Sequence, residues 1–198
     1  MEKLFFNIDA RNLVFENVTL NFYDKDVTNK FAHKNNKTLV QTLSSRKYKH
    51  LSQQVFEHYE AHLDTNLGDF LLELKLSGDS FYKCFLNPHG DKAYCQFTID
   101  DCLDNKGLYC FAVDNQIVYM GRCVDSFAKR INYGYGRISP KNCYRDGQST
   151  NCRVNSLINL HSDRVKFHVC SLNDNVVITQ LEKMLIQQLQ LQREWNIR

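Results

Sequence analysis

The chain has 198 residues, 43% of them apolar, with only two prolines and eight glycines. That composition excludes a linker or low-complexity tail, and the length suits one good-sized core or a compact catalytic module with an extension. The formal net charge of +3 is too mild to argue for a polyanionic partner by itself.

In chain order, residues 4–23 alternate loosely in apolar character and predict two short strands. Asp24 to Lys37 is polar and reads as a loop or an exposed helix. From Thr38 to Leu63 apolar positions recur every three to five residues, which predicts an amphipathic helix with a break near Ser44-Ser45. Phe70 to Leu76 ends in alternation and is expected to be a strand, with Phe81 to Phe85 returning as its partner after a turn at Ser77-Gly78-Asp79-Ser80. A further strand is expected over Ala93 to Ile99.

The second half reads more clearly. Gly107 to Val113 and Ile117 to Arg122 form a hairpin around Asp114-Asn115-Gln116. Ser126 to Tyr133 starts a helix with Asp125 or Ser126 as N-cap, and Gly134-Tyr135-Gly136 is expected to end it. Cys152 to Leu160 reads as helix, Val165 to Leu172 as a third strand, and Asn175 to Gln192 as a helix free of proline and glycine. The order suits an α/β (α+β) fold in which a small antiparallel three-stranded sheet is flanked by helices. Residues 1–104 would be an N-terminal α+β extension and 105–198 the catalytic domain.

Eight cysteines show no CxxC pair and no close metal-ligand spacing, and several lie in apolar runs, so they read as free, reduced thiols. The apolar stretch after Met1-Glu2-Lys3 is too short for a secretory leader. No run approaches the ~20 apolar residues of a membrane span. A cytoplasmic protein is the expectation.

Gly107-Leu108-Tyr109 is followed, after nine residues, by Tyr119-Met120-Gly121, and Arg130 comes eleven positions after Tyr119. A distal run, Leu181-Glu182-Lys183-Met184-Leu185-Ile186, precedes Trp195-Asn196. From Arg122 to Lys166 nine Lys/Arg stand against three acids, a local excess of positive charge directly after the two tripeptides. Motif and order resemble the GIY-YIG nuclease superfamily, whose members cut nucleic-acid backbones with one divalent metal. The resemblance covers residues 105 to 198 and is silent on the first hundred.

What the resemblance implies can be assigned residue by residue. Tyr109 would polarise or deprotonate the attacking water, and a phenol with a pKa near ~10 needs a nearby cation to do so. Tyr119, about 5 Å away at Cβ if directly opposite on the paired strand, would orient the water or the phosphate. Arg130 would hold the phosphate through its guanidinium fork. Arg122 stands where relatives often carry lysine. Glu182 would be the metal ligand, for Mg²⁺ or Mn²⁺, with Glu194 the competing carboxylate. Relatives often place a tyrosine or histidine four residues beyond the arginine; that position is Gly134 here. Tyr133, at i+3 from Arg130, is the nominee, with Tyr135 the alternative. Asn196 resembles the late asparagine that fastens the active site.

The stretch from Asp146 to Asn155 is rich in amides and hydroxyls and leads into a helix, so Gln148, Arg153 and Asn155 are expected to contact substrate. His58 and His62 are four apart but lack the HExxH glutamate, and His89 sits alone in a turn. The expected function is a metal-dependent DNA endonuclease that resembles the GIY-YIG type II restriction enzymes. In that reading the first hundred residues, including Arg46-Lys47-Tyr48-Lys49-His50, grip or read double-stranded DNA, and palindromic cutting implies a homodimer or two successive nicks. The alternatives are a structure-specific or nonspecific repair or mobile-element nuclease, and a binding module without turnover.

Overall fold

The computed structural model describes residues 3–191, 195 and 196. Among the described residues there are seven strands: β1 (Lys3–Ile8), β2 (Arg11–Val18), β3 (Asn21–Val27), β4 (Tyr94–Thr98), β5 (Gly107–Val113), β6 (Gln116–Cys123) and β7 (Val165–Ser171). Five α-helices accompany them: α1 (Leu39–Leu43), α2 (Ser52–His58), α3 (Leu67–Leu76), α4 (Ser149–Leu160) and α5 (Asn175–Gln188). A π-helix covers Ala128–Tyr135. The mixed α/β class expected from the sequence is what the chain adopts.

The sheet is larger than expected. It has five strands in the order β1-β2-β7-β5-β6, with the neighbouring pairs antiparallel, where three were anticipated. The two additional strands come from the N-terminal segment: β2 pairs with β7 through Glu16↔Val169 and Val18↔Phe167. The chain therefore does not divide at residue 104. One compact unit takes the chain up to Lys25, Cys95–Arg137 and Leu157 onward; the other takes Asp26–Tyr94 and Ile138–Ser156.

Two tight turns set the hairpin registers in the first unit. Asp9 and Ala10, and again Asp114 and Asn115, take consecutive positive φ values between strands paired Ile8↔Arg11 and Val113↔Gln116. Such turns twist in the sense that the flanking strands require. Strand alternation then sorts the side chains. Leu108, Cys110, Met120 and Cys170 face α5 and pack on its Ile178, Leu181, Leu185 and Ile186. Tyr109, Phe111, Tyr119 and Phe167 have the opposite parity and gather on the other face, with ring centroids 5.0–6.2 Å apart. All seven residues of β5 are buried, because strands flank it on both sides and both faces are covered.

The second unit holds its own apolar core, built around Phe31, Leu39, Leu43, Val55, Phe70, Phe85 and Tyr144. Here two expected strands are helical. Residues 67–76 form α3, whose buried Leu67, Phe70, Leu71 and Leu74 follow the i, i+3, i+4, i+7 stripe of a helix. The alternation of Leu72, Leu74 and Leu76 that suggested a strand does not survive: Leu76 is 77% exposed. Ser80–Phe85 is a 3-10 helix capped by Asp79, whose side chain accepts from the Phe81 N–H at 2.8 Å. The helix expected over Thr38–Leu63 is broken into α1, α2 and two 3-10 turns.

Candidate functional site

The two tripeptides occupy β5 and β6, and their register explains the spacing. Tyr109 faces Gly121, and Phe111 faces Tyr119. The Tyr109 ring lies across Gly121 so closely that a Cβ at that position would sit 2.4 Å from Tyr109 Cζ and 2.5 Å from its hydroxyl oxygen. Only glycine leaves room for the ring. A bulge between Phe111 and Ala112 absorbs the extra residue of β6.

Three phenols meet on this face. The Tyr109 hydroxyl donates to the Tyr135 hydroxyl at 3.1 Å, and the Tyr135 and Tyr119 hydroxyls are 2.9 Å apart. Tyr109 is 1% exposed. Burial raises its phenol well above the ordinary range, and the Tyr135 and Tyr119 phenols add to the effect; the Arg130 charge pulls the other way and is outweighed. Tyr119 is raised for the same first reason, burial, with Tyr135 second. Tyr109 and Tyr119 are therefore neutral near pH 7 and act as hydrogen-bond donors and acceptors. Of the two roles expected of Tyr109, burial favours polarising a water over deprotonating it.

Arg130 reaches the cluster through the π-helix. Its guanidinium carbon is 6.0 Å from the centre of the Tyr135 ring. Burial works against its charge, but the Tyr109 and Tyr135 phenols and the Cys123 thiol more than offset that, so it is held firmly protonated. A π-helix bonds i to i+5, as the Gly136 N–H to Ile131 carbonyl bond at 2.6 Å does here. Residues five apart, Arg130 and Tyr135, consequently share a face. The i+3 relation that nominated Tyr133 belongs to an α-helix, and Tyr133 points outward, 73% exposed. Tyr135 completes the phenol cluster in its place. The Asn132 side chain anchors the same helix, donating to the Ile99 carbonyl at 3.0 Å and accepting from the Ile99 N–H at 2.9 Å.

Glu182 and Arg122 form a second pair, 2.8 Å apart. Glu182 is buried, 4% exposed, on the α5 side of the sheet, and Arg122 leaves β6 from that side opposite Leu108. The phenols with Arg130 and the Arg122–Glu182 pair thus start from opposite faces. The phenols and Arg130 gather on one face, and Glu182 lies on the other beside Arg122. Gly121, covered by the Tyr109 ring and followed by Arg122, is where the two groups adjoin along the chain.

Asn196 lies on the free edge of β6. Its side-chain oxygen accepts from the Met120 N–H at 2.8 Å and its amide donates to the Met120 carbonyl at 2.6 Å, while the Trp195 N–H reaches the Val118 carbonyl at 3.0 Å. It fastens a strand; both ends of its amide are committed to backbone, so it is not placed to touch substrate. Glu194 and the expected last turn of α5 at Gln192 lie outside the described residues.

Gln148, Arg153 and Asn155 belong to the second unit, Gln148 just before α4 and the other two within it. Gln148 is exposed and accepts from the Asn151 amide at 2.7 Å. Arg153 is half-buried. Asn155 is 0% exposed and cannot reach a substrate in this arrangement, because it sits on the inward face of α4 beside the buried Val154.

Sequence reasoning missed the Asn132 anchor and the commitment of Glu182 to Arg122. No protein family, curated protein or solved structure matches this chain. Among the described residues no group of three His, Cys, Asp or Glu gathers as a metal site, and no helix is long and apolar enough to cross a membrane. The described cysteines are all free thiols. Glu182, the expected metal ligand, is 4% exposed and already paired with Arg122.

Proposed function

We propose that this chain is an endonuclease that hydrolyses DNA phosphodiester bonds with Mg²⁺ or Mn²⁺, resembling the GIY-YIG type II restriction enzymes. One observation carries the reading: a permanently charged arginine, Arg130, stands against three hydrogen-bonded phenols, two on the hairpin that bears both tripeptides and the third, Tyr135, on the π-helix. That combination binds a phosphodiester oxygen and holds a water beside it. Arg130 offers the bidentate fork to the phosphate. Tyr109 and Tyr119 orient the water by hydrogen bonds, and the chain Tyr109–Tyr135–Tyr119 gives a displaced proton a path through three hydroxyls. Glu182 would hold the metal on the α5 side of the sheet, where Arg122 rather than Arg130 is its neighbour, and the ion would supply charge stabilisation to a phosphoryl group there. Double-stranded DNA is the proposed partner, with a homodimer for palindromic cutting and a cytoplasmic location.

The test is direct. Purified protein is incubated with Mg²⁺ and plasmid DNAs of diverse sequence; discrete bands support a restriction enzyme, better cutting of flapped or branched DNA supports a repair or mobile-element nuclease, and intact DNA opposes both.

A second reading rests on a specific observation. Tyr109 is buried and Glu182 is neutralised by Arg122, which favours a nucleic-acid-binding module without turnover. Tight DNA binding with no cleavage at any Mg²⁺ or Mn²⁺ concentration would select it.

A further inference from the structure

The second unit contains a cleft of about 930 Å³, apart from the phenol cluster and the Arg122–Glu182 pair. Three separated stretches of sequence bring cations to it: Lys47 from the basic cluster 46–50, Lys83 and Lys92 from the segment between α3 and β4, and Arg145 from the turn before α4. Asp91 is the one carboxylate of its lining. It is already committed, accepting from Lys75 Nζ at 2.6 Å and from the Tyr82 hydroxyl at 2.7 Å. None of the four cations is ion-paired with a carboxylate among the described residues. Lys47 instead donates to the Arg145 carbonyl at 3.3 Å, and the Arg145 guanidinium lies 3.5 Å from His50 Nε2. Like charges have been collected around a concavity without their counter-ions, an arrangement that raises the local concentration of anions.

The rest of the lining says what kind of anion. Leu86 and Pro88 give the cleft an apolar wall, and Ser149 brings the first turn of the twelve-residue α4 to its rim, where backbone N–H groups favour a phosphate. Asn87 is occupied by the backbone, donating to the Asn142 and Tyr144 carbonyls, so it shapes the wall rather than reading a ligand. The volume is at the upper end of small-molecule sites, roughly 300–1,000 Å³, and exceeds what a lone phosphate needs. A ligand that joins several phosphates to flat apolar groups fits both halves of the lining.

We propose that this cleft binds nucleotide phosphates, holding a strand of nucleic acid with its backbone on Lys47, Lys83, Lys92 and Arg145 and a base against Leu86 and Pro88. The site deepens the nuclease reading and rests on it for the choice of a nucleic-acid strand over a free nucleotide, which offers the same chemistry.

Fluorescence polarisation of the full chain in EDTA decides it, with a short labelled oligodeoxynucleotide, single-stranded or duplex, and with labelled ADP as the free nucleotide. Lys83→Glu and Arg145→Glu are each expected to weaken strand binding about tenfold and to lower the salt slope by about one. Lys83→Gln gives a smaller loss in the same direction, and matched circular dichroism shows that the variants fold. Loss of ADP binding with unchanged strand binding would assign the cleft to free nucleotides and overturn the strand proposal. Unchanged affinity and salt slope for every probe would overturn the site altogether. Arg130→Ala, assayed alongside, keeps the two readings apart: it weakens strand binding by no more than about threefold and removes cleavage. If Arg130→Ala cuts normally the nuclease site fails while the cleft stands or falls on its own variants.

Discussion

Arg130 and Tyr135 stand five residues apart, yet the Arg130 guanidinium carbon lies 6.0 Å from the centre of the Tyr135 ring. In an α-helix they would diverge; the wider π-helical turn brings them to one side. The same turn delivers the Tyr135 hydroxyl to both Tyr109 and Tyr119.

Tyr135→Phe should therefore cost stability and activity together. It removes the oxygen between two buried hydroxyls, a loss of about 1–3 kcal/mol, and cleavage should fall by about 10- to 100-fold as the water loses its orientation. Tyr133→Phe, altering an exposed ring, should change neither. Urea unfolding and cleavage rates of the two variants side by side would decide; equal effects would reject the phenol cluster.

Arg130→Ala should lower the cleavage rate by about 10²–10³-fold or more, the usual cost of losing one preorganised donor to a developing negative charge. DNA affinity should stay within about threefold, because one phosphate contact of many is lost. Single-turnover cleavage and polarisation measure the two separately.

Glu182→Gln should be destabilising whatever the activity. It leaves the Arg122 guanidinium facing a neutral amide in a place where only Arg122 keeps part of its side chain in solvent. Breaking a fully buried pair costs ~3–5 kcal/mol; partial exposure of Arg122 brings the expectation to about 2–3 kcal/mol. The double variant Arg122→Gln/Glu182→Gln should regain part of that loss. Addition of EDTA to the wild type should abolish cleavage without lowering the unfolding midpoint by as much as Glu182→Gln does.

Gly121→Ala should disturb the fold at one point. The new methyl would meet the Tyr109 ring at 2.4 Å, and the ring is hemmed by Phe111, Phe127 and Phe167. Overpacking of this kind costs about 1–3 kcal/mol. Chemical denaturation and loss of near-ultraviolet tyrosine dichroism report it.

Stability should fall at alkaline pH. Burial, followed by hydrogen bonds to Asp79 and Asp91, lifts the Tyr59 and Tyr82 phenols to about 12, and Tyr109 and Tyr119 are raised too. Unfolded phenols release their protons near pH ~10. Above that pH the folded chain binds more protons than the unfolded one, so the stabilisation is complete below pH ~10 and is lost as pH rises towards the folded values. Urea midpoints measured from pH 7 to pH 11 should be level at first and then decline.

The sequence stated more of the hairpin than of its surroundings. The tripeptides, their alternation and the Asp114-Asn115 turn are local features, legible from a few adjacent residues. The strand expected at Phe70–Leu76 failed because the window opened at Phe70 and missed Leu67, the residue that completes the helical stripe of α3. Asn155 looked like a substrate contact because amides cluster around it, but composition does not say which face of α4 is buried.

By itself the sequence determined two hairpin strands, their turn, the following helical arginine and the helix that carries Glu182, since each depends on the periodicity or turn chemistry of neighbouring residues. Only the tertiary structure decided that β1 and β2 extend the sheet, that Tyr135 rather than Tyr133 meets the other phenols, and that Glu182 is held by Arg122 on the opposite face. Those outcomes follow from strand pairing and helix packing between distant segments, where burial and register, not local preference, set which side chains meet.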